Sequence, residues 1–325
     1  MMKPEILLTT RIYAPAVADL EGEFTVHKLW TARDPDAFIQ ELPRGVRGVV
    51  TTGPAGFSRR QIEALPNLEI IACFGTPHGT VDLGAAKERR VVVTNTPDSI
   101  ADSVADLAMG LMVAVMRRIC ESDRFVRAGK WLHGLMAMGR ELGGKTCGII
   151  GLGRIGRQIA KRAEAFGMSV RYHGPRPKPD VAYPYDADLE RMARASDCLV
   201  VACAATPATR GLVNARILEA LGAEGFLINV ARGPIVEERA LVAALRTGRI
   251  AGAGLDVFWD EPRVPAELTA MENVVLLPHM GSSTREVREG RRTKLMANLR
   301  AHFAGEPVPN PLPGTDEGRR KKDEG

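Results

Sequence analysis

The sequence predicts an α/β protein made of two doubly wound parallel-sheet units, and three observations carry the prediction. Short apolar runs alternate with polar or helical segments through most of the chain. One run leads directly into a Gly-x-Gly-x-x-Gly turn. Two long helical patterns, opening near Asp98 and Ser283, separate a smaller set of runs from a larger one. With 325 residues, 45% hydrophobic and 26% charged, the chain is long enough for two ordinary domains, each with its own core.

The first set of runs is EILLTT, FTVHKLW, GVVTT, EIIACFG and VVVTNT, the rhythm of a small parallel unit. From Asp98 the pattern turns helical: Ile100, Val104, Leu107, Ala108 and Leu111 recur at helical spacing, with Asp102 and Asp106 between them. After GKWLHGLMAMGREL the second set begins: TCGII, SVRY, CLVVAC, FLINV, AGAGLDVF and NVVLL, with helical patterns between most of them. Ser283, with Glu286 three residues on, reads as a capping box opening a last long helix through Leu299 and Phe303 that returns to the first unit. The Pro-rich EPVPNPLPG then ends regular structure. The expected boundaries are 1–98 with 286–312 for a substrate domain, 99–285 for a dinucleotide-binding Rossmann domain, and 313–325 for a disordered tail.

Composition excludes several classes. The net charge of +5 owes much to Arg319, Arg320, Lys321 and Lys322 in the polar tail; without them the body is nearly neutral, and neither a basic face nor a nucleic-acid-reading motif is present. Cys73, Cys120, Cys147, Cys198 and Cys203 form no CxxC pair and lie mostly in apolar runs, so they read as core thiols of a reducing compartment and not as a disulfide frame or metal site. The first residues lack the continuous apolar stretch of a signal peptide, and no run reaches the roughly 18 apolar residues of a membrane span. A cytoplasmic protein without metal, membrane or nucleic-acid partners is expected.

In TCGIIGLGRIGRQIAKRAEAFG, Gly151, Gly153 and Gly156 follow an apolar strand and precede an amphipathic helix. Gly151 permits the tight turn, Gly153 lets the backbone approach a pyrophosphate, and Gly156 lets helix pack on strand; the helix N-terminus then stabilises the phosphates. A NAD site places an acid at the end of the next strand to bond the ribose 2′-hydroxyl. Here that strand, SVRY, leads into HGPRPKPD. Arg176 and Lys178 stand where cations neutralise a 2′-phosphate, the alternative being two solvated surface cations. NADPH is the expected cofactor, with NADH possible.

Three further residues sit at or just beyond strand ends: Arg232 in INVARG, Glu261 in LDVFWDEP and His279 in VVLLPHMGSS. Their types suit reduction of a 2-oxo acid. Arg232 pairs with the substrate carboxylate and polarises its carbonyl, His279 protonates the oxygen as hydride reaches carbon, and Glu261 orients the imidazole and favours its charged form. Singly, each is an ordinary surface arginine, loop glutamate or satisfied histidine; behind a dinucleotide motif the three together point to catalysis.

These motifs, GLGRIG, INVARG, GLDVF followed by DEP, and LLPHMGS, resemble in order and separation those of the D-isomer-specific 2-hydroxyacid dehydrogenases, most of all the NADPH-linked glyoxylate/hydroxypyruvate reductases, from the first strand to Phe303. The resemblance implies a flavodoxin-like substrate domain beside the Rossmann domain, with Arg232, Glu261 and His279 as the catalytic trio. It implies that Asp256 holds the nicotinamide carboxamide, that Arg154 and Ile155 contact the pyrophosphate, and that Cys203, Thr209, Val230 and Gly281 line the cofactor. Substrate contacts fall on Gly75, Thr76 and His78 with Arg232. A homodimer joined through the cofactor domains is implied, with Trp131 reaching the neighbouring active site. The chain departs from the family at Pro77, where a glycine amide usually helps bind the substrate carboxylate; proline has no amide hydrogen to donate. Alternatives remain open on sequence: a cofactor-sensing corepressor of the same fold, or a dehydrogenase for another acid, namely phosphoglycerate, D-lactate, phosphite or a longer aromatic 2-oxo acid.

Overall fold

The computed structural model describes residues 3–42, 44–77, 79–97 and 100–315, and divides into two compact units, Met1–Ser99 with Arg285–Gly325, and Ile100–Thr284. The first unit runs β1 (Glu5–Leu8), α1 (Ala14–Glu23), β2 (Thr25–Lys28), α2 (Pro35–Glu41), β3 (Val46–Thr52), α3 (Arg59–Ala64), β4 (Ile70–Phe74), α4 (Leu83–Glu88) and β5 (Val92–Thr94). All five strands are parallel, in the order β2-β1-β3-β4-β5, which is the flavodoxin-like winding. Helix starts have local causes: Asp34 accepts from the amides of Asp36 and Ala37 to cap α2, and Asp82 accepts from Ala85 at 2.8 Å to cap α4. The strands are apolar almost throughout because both faces are covered. In β4, Ile71 packs with Leu7, Val49 and Val93, whereas Ile70, Ala72 and Phe74 pack on the opposite side.

The second unit runs α5 (Ala101–Met116), α6 (Ile119–Arg127), β6 (Thr146–Ile150), α7 (Arg154–Ala165), β7 (Ser169–His173), α8 (Leu189–Arg194), β8 (Cys198–Val201), α9 (Ala215–Leu221), β9 (Phe226–Asn229), α10 (Glu238–Arg246), β10 (Gly252–Leu255), α11 (Ala266–Thr269) and β11 (Val274–Leu276). Its six parallel strands are ordered β11-β10-β9-β8-β6-β7. A single parallel bridge from Tyr172 to Tyr185 extends the sheet past β7. Counted in chain order with Tyr185 as a vestigial third strand, the sheet has the Rossmann winding, and its direction reverses between β6 and β8. Cys147, Ile149, Cys198 and Val200 face one core layer, while Ile150, Leu199 and Val201 face the other, the period-two partition of a sheet buried on both sides.

The chain returns to the first unit through α12 (Arg285–Ala304). This helix starts two residues after Ser283, and the Ser283 side chain makes no hydrogen bond among the described residues, so the Ser283–Glu286 capping box does not form. The Ser283 amide instead closes a turn on Met280 O at 2.8 Å, which delays the first helical residue. The helix lies along β4 in the opposite direction: His302 near its end meets Glu69, just before β4, at 3.1 Å, and Leu295, Asn298, Leu299 and His302 form the buried stripe.

The described residues at the start of the expected tail, 313–325, are held in place around Thr315. Leu312 N–H donates to Val93 O at 2.7 Å, the Val93 amide donates to Thr315 Oγ1 at 3.2 Å, and Thr315 is 8% exposed. β5 is an edge strand whose free backbone groups hold these residues; positions 316–325 lie outside the described residues. Cys73, Cys147 and Cys198 are buried thiols, and no described helix is long and apolar enough to cross a membrane.

Candidate active site

The site of the second unit is built on the C-terminal ends of its strands. After β6 the chain turns through Gly151, whose φ of +97° lies in the left-handed region and whose missing Cβ would sit 2.6 Å from Cys203 Cα. A Cβ on Gly156 would sit 2.2 Å from Gly151 O, so helix α7 packs on the turn only without a side chain there. Gly153 is different. A Cβ on it would meet nothing within 4 Å, so nothing in the protein itself demands glycine. No side chain caps α7, which leaves the first-turn amides at Arg154, Ile155 and Gly156 pointing out of the helix end beside that open position. An uncapped helix N-terminus next to open backbone fits a pyrophosphate.

The other cofactor candidates surround this turn. Cys203 lies against Gly151 after β8, and burial pushes its thiol up to about 11, so it packs as an uncharged group. Thr209 closes the loop after β8, its hydroxyl donating to Ala204 O at 2.8 Å and accepting from the Thr206 amide at 2.8 Å. Val230 is buried at the end of β9. Past β7, Arg176 is exposed, and the Lys178 amide is held by the Tyr172 hydroxyl at 2.7 Å; among the described residues neither cation forms a salt bridge, although the Lys178 charge acts on the nearby Asp180 carboxylate. The first acid after β7, Asp180, is engaged by Arg157 of α7 at 2.8 Å, which holds its carboxyl below the usual range. No acid is therefore poised at the end of β7 for a ribose 2′-hydroxyl.

Arg232, Glu261 and His279 lie in the loops after β9, β10 and β11, three neighbouring parallel strands. The Arg232 loop is shaped by Asn229, which the sequence reading did not single out. It is 1% exposed, accepts from the Ala231 amide at 3.0 Å and donates to Arg232 O at 3.1 Å. An Asx clip at a strand end was the available signal. Arg232 itself is exposed and donates to Ala231 O at 2.7 Å. A Cβ on the next residue, Gly233, would fall 2.2 Å from the Phe258 carbonyl, so the Arg232 loop abuts the segment that carries Glu261.

Glu261 uses both oxygens: Oε1 accepts from the Phe258 amide at 3.0 Å, and Oε2 accepts from His279 Nδ1 at 2.6 Å. That bond puts a hydrogen on Nδ1 and leaves Nε2 as the ring's free position for proton exchange. His279 stands at φ +52° at the start of a turn pinned from two sides. Asp256 accepts from the Met280 and Gly281 amides at 2.8 and 2.9 Å, and Ser103 Oγ donates to Gly281 O at 2.5 Å. Asp256 is 2% exposed, and burial pushes its carboxyl up against the lowering effect of those two amides. Each of its oxygens keeps a lone pair beyond the amide bonds. Ser103 was invisible on sequence because its role arises only where α5 meets the loop after β11.

In the first unit, β4 ends in Gly75, Thr76 and Pro77. Gly75 has φ +113°, and its amide is already given to the buried Thr96 hydroxyl at 2.7 Å. The Gly79 amide closes on Pro77 O at 2.7 Å, and Pro77 has none. The Thr76 amide and hydroxyl make no hydrogen bond among the described residues; His78 lies outside them.

With this geometry the chain matches known proteins over most of its length. Residues 109–281 match the family model for the D-isomer specific 2-hydroxyacid dehydrogenase NAD binding domain. Glyoxylate/hydroxypyruvate reductase A of Arabidopsis thaliana is 47% identical over 294 residues, spanning 90% of this chain and 94% of that protein. The structure of a 2-hydroxyacid dehydrogenase from Ketogulonicigenium vulgare Y25 superposes with a TM-score of 0.89 at 41% identity, covering 96% of this chain and 99% of that one. A structure of NADPH-dependent glyoxylate/hydroxypyruvate reductase from Sinorhizobium meliloti in complex with NADP and malonate superposes with a TM-score of 0.81 at 38% identity, covering 97% and 98%. A Rossmann unit with Arg, Glu and His on adjacent strand ends, and relatives of this identity and coverage, lead to one conclusion: the chain belongs to the D-isomer-specific 2-hydroxyacid dehydrogenase family.

Proposed function

We propose that the protein reduces a small 2-oxo acid, such as glyoxylate or hydroxypyruvate, to the D-2-hydroxy acid with NADPH as the preferred donor and NADH as a weaker one. The observation that carries this reading is the 2.6 Å bond from His279 Nδ1 to Glu261, in the loop next to that of Arg232. When bound, the reduced nicotinamide supplies the hydride. Arg232 pairs with the substrate carboxylate and draws electron density toward the carbonyl oxygen. His279 Nε2 delivers the proton to that oxygen, and Glu261 stabilises the charged ring before transfer and holds it in line. Asp256 keeps the His279 turn in place and has oxygen lone pairs left for the nicotinamide carboxamide. Arg176 and Lys178, unopposed by an acid at the end of β7, support the 2′-phosphate form. Residues of Met1–Ser99 and α12 form the substrate domain in this reading.

The exposed apolar residues Ile119, Val126, Trp131, Leu132, Leu135 and Met138 crowd into one stretch of the second unit, with Leu135 and Met138 more than 90% exposed. Such a surface supports a homodimer joined through this unit, with Trp131 reaching the neighbour's site. The buried free thiols support a reducing compartment, the cytoplasm. The test is a panel of 2-oxo acids assayed with NADPH and NADH in parallel, with light scattering for mass. Turnover of short 2-oxo acids favouring NADPH, by a particle of twice the chain mass, is expected. No turnover of any 2-oxo acid would refute the enzymatic reading.

A further inference from the structure

Resting on the 2-oxo acid reading, we propose that Arg288 is a substrate-binding residue. Its guanidinium, together with the Thr76 amide and hydroxyl, takes the substrate carboxylate at the end of β4, where Pro77 has no amide hydrogen and the Gly75 and Gly79 amides are already committed.

The argument begins with the donors. A carboxylate held by a loop needs N–H or O–H groups with no other acceptor. Among the described residues of this loop, the amide of Gly75 is spent on Thr96, that of Gly79 on Pro77 O, and Pro77 has none. Among the described residues from Gly75 to Gly79, the Thr76 amide and hydroxyl are uncommitted, and one residue is a thin anion site. A side-chain cation near this loop would strengthen it.

The helix α12 supplies a candidate. Its buried stripe, His302, Asn298 and Leu295, runs antiparallel along β4 and reaches Arg291 at the strand's end, where Arg291 Cζ lies 3.9 Å from the Cβ position of Gly75. Arg288 is three residues further on the same face, about 4.5 Å along the axis at 1.5 Å per residue, in the direction in which the chain leaves β4 for Thr76 and Pro77. Strand C-termini are where open α/β sheets bind ligands.

Arg288 also lacks what a structural arginine has. It is half-buried, yet among the described residues it makes no hydrogen bond and no ion pair. The neighbouring arginines of the helix do otherwise: Arg292 is bound by Asp19 and Glu289, and Arg300 by Glu23. Burial and the positive Arg291 pull the Arg288 pKa down, so this guanidinium sits in an unfavourable place for a cation. An anion brought to it relieves that cost, and the planar fork suits a carboxylate bidentately.

The experiment uses the full chain and compares wild type with Arg288→Gln, Arg288→Lys and Arg288→Met. Steady-state kinetics with glyoxylate and hydroxypyruvate at saturating NADPH are paired with calorimetric titration of oxalate, NADPH fluorescence titration and thermal unfolding. In Arg288→Gln, KM and the oxalate Kd are expected to rise together by about 10- to 100-fold, the effect of losing a charge-assisted hydrogen bond, while kcat and the NADPH Kd stay within about 3-fold. Arg288→Lys should recover part of the loss. The Tm of Arg288→Met should hold or rise, because the residue lost was an unpaired charge. Unchanged KM and oxalate affinity in Arg288→Gln, or a KM rise confined to acids with a second carboxylate such as 2-oxoglutarate, overturns the assignment. A lowered Tm with intact oxalate binding marks Arg288 as structural and does the same. If wild type reduces none of these acids, the proposed function fails by itself; the oxalate titration still decides the anion site, and wild type that binds no oxalate overturns it.

Discussion

Gly153→Ala adds one methyl group to the turn between β6 and α7, and the structure separates its effect on folding from its effect on cofactor. The new Cβ meets no atom within 4 Å, and φ −80° with ψ −159° is an extended conformation open to alanine. Replacing glycine where the native backbone suits alanine lowers the entropy of the unfolded chain and should add about 0.4–1 kcal/mol of stability. For a unit of this size that raises Tm by about 1–4 °C. A pyrophosphate hydrogen-bonded to the first amides of α7 must occupy the same space. Loss of one charge-assisted bond, about 1.5–3 kcal/mol, should weaken cofactor binding by roughly 10- to 150-fold. Gly156→Ala is the contrast: its Cβ falls 2.2 Å from the Gly151 carbonyl, backbone against backbone, and the overpacking should cost about 1–3 kcal/mol. Circular dichroism melts and NADPH fluorescence titration read the two effects separately. Wild-type cofactor affinity in Gly153→Ala, or a melt lowered as far as that of Gly156→Ala, would refute the reasoning.

Glu261→Gln replaces the carboxylate that accepts from His279 Nδ1 at 2.6 Å with an amide that can also donate, so the imidazole is no longer held in one tautomer and orientation. In the variant kcat for the 2-oxo acid should fall by about 10-fold or more while the NADPH Kd holds; an unchanged kcat counts against the orienting role of Glu261. Arg176→Ala combined with Lys178→Ala should cut the ratio of NADPH to NADH catalytic efficiency by about 10-fold or more, leaving NADH kinetics nearly intact; a preference that survives both changes assigns the 2′-phosphate to other residues. Cys203, with its thiol pushed up to about 11 from 9.0, should be alkylated by iodoacetamide at pH 8 about 100-fold more slowly than an unperturbed thiol. Peptide mapping checks this, and rapid labelling of Cys203 would show that the loop after β8 opens.

The alternation of apolar runs, the long helices and the glycine turn were legible in the chain because each is a local property, set by side-chain periodicity or by the conformational demand of one residue. The fold class follows from them, as do the strand ends that carry Arg232, Glu261 and His279. Edges and turns were less legible. The Tyr185 bridge escaped notice because one backbone pair leaves no pattern, and Thr315 looked like the start of a loose tail because its partner, Val93, lies more than two hundred residues earlier. The Ser283–Glu286 box matched in letters and lost to a turn that had already taken the Ser283 amide. The chemistry divides in the same way. Sequence pointed to Arg232, Glu261 and His279 as candidate reacting groups, because acids, bases and cations declare themselves. Only the tertiary structure showed that Asp256 and Ser103 pin the His279 turn, that the Gly75 amide is already committed, and that Arg291 lies against Gly75 at the end of β4, since each depends on which distant segments pack together.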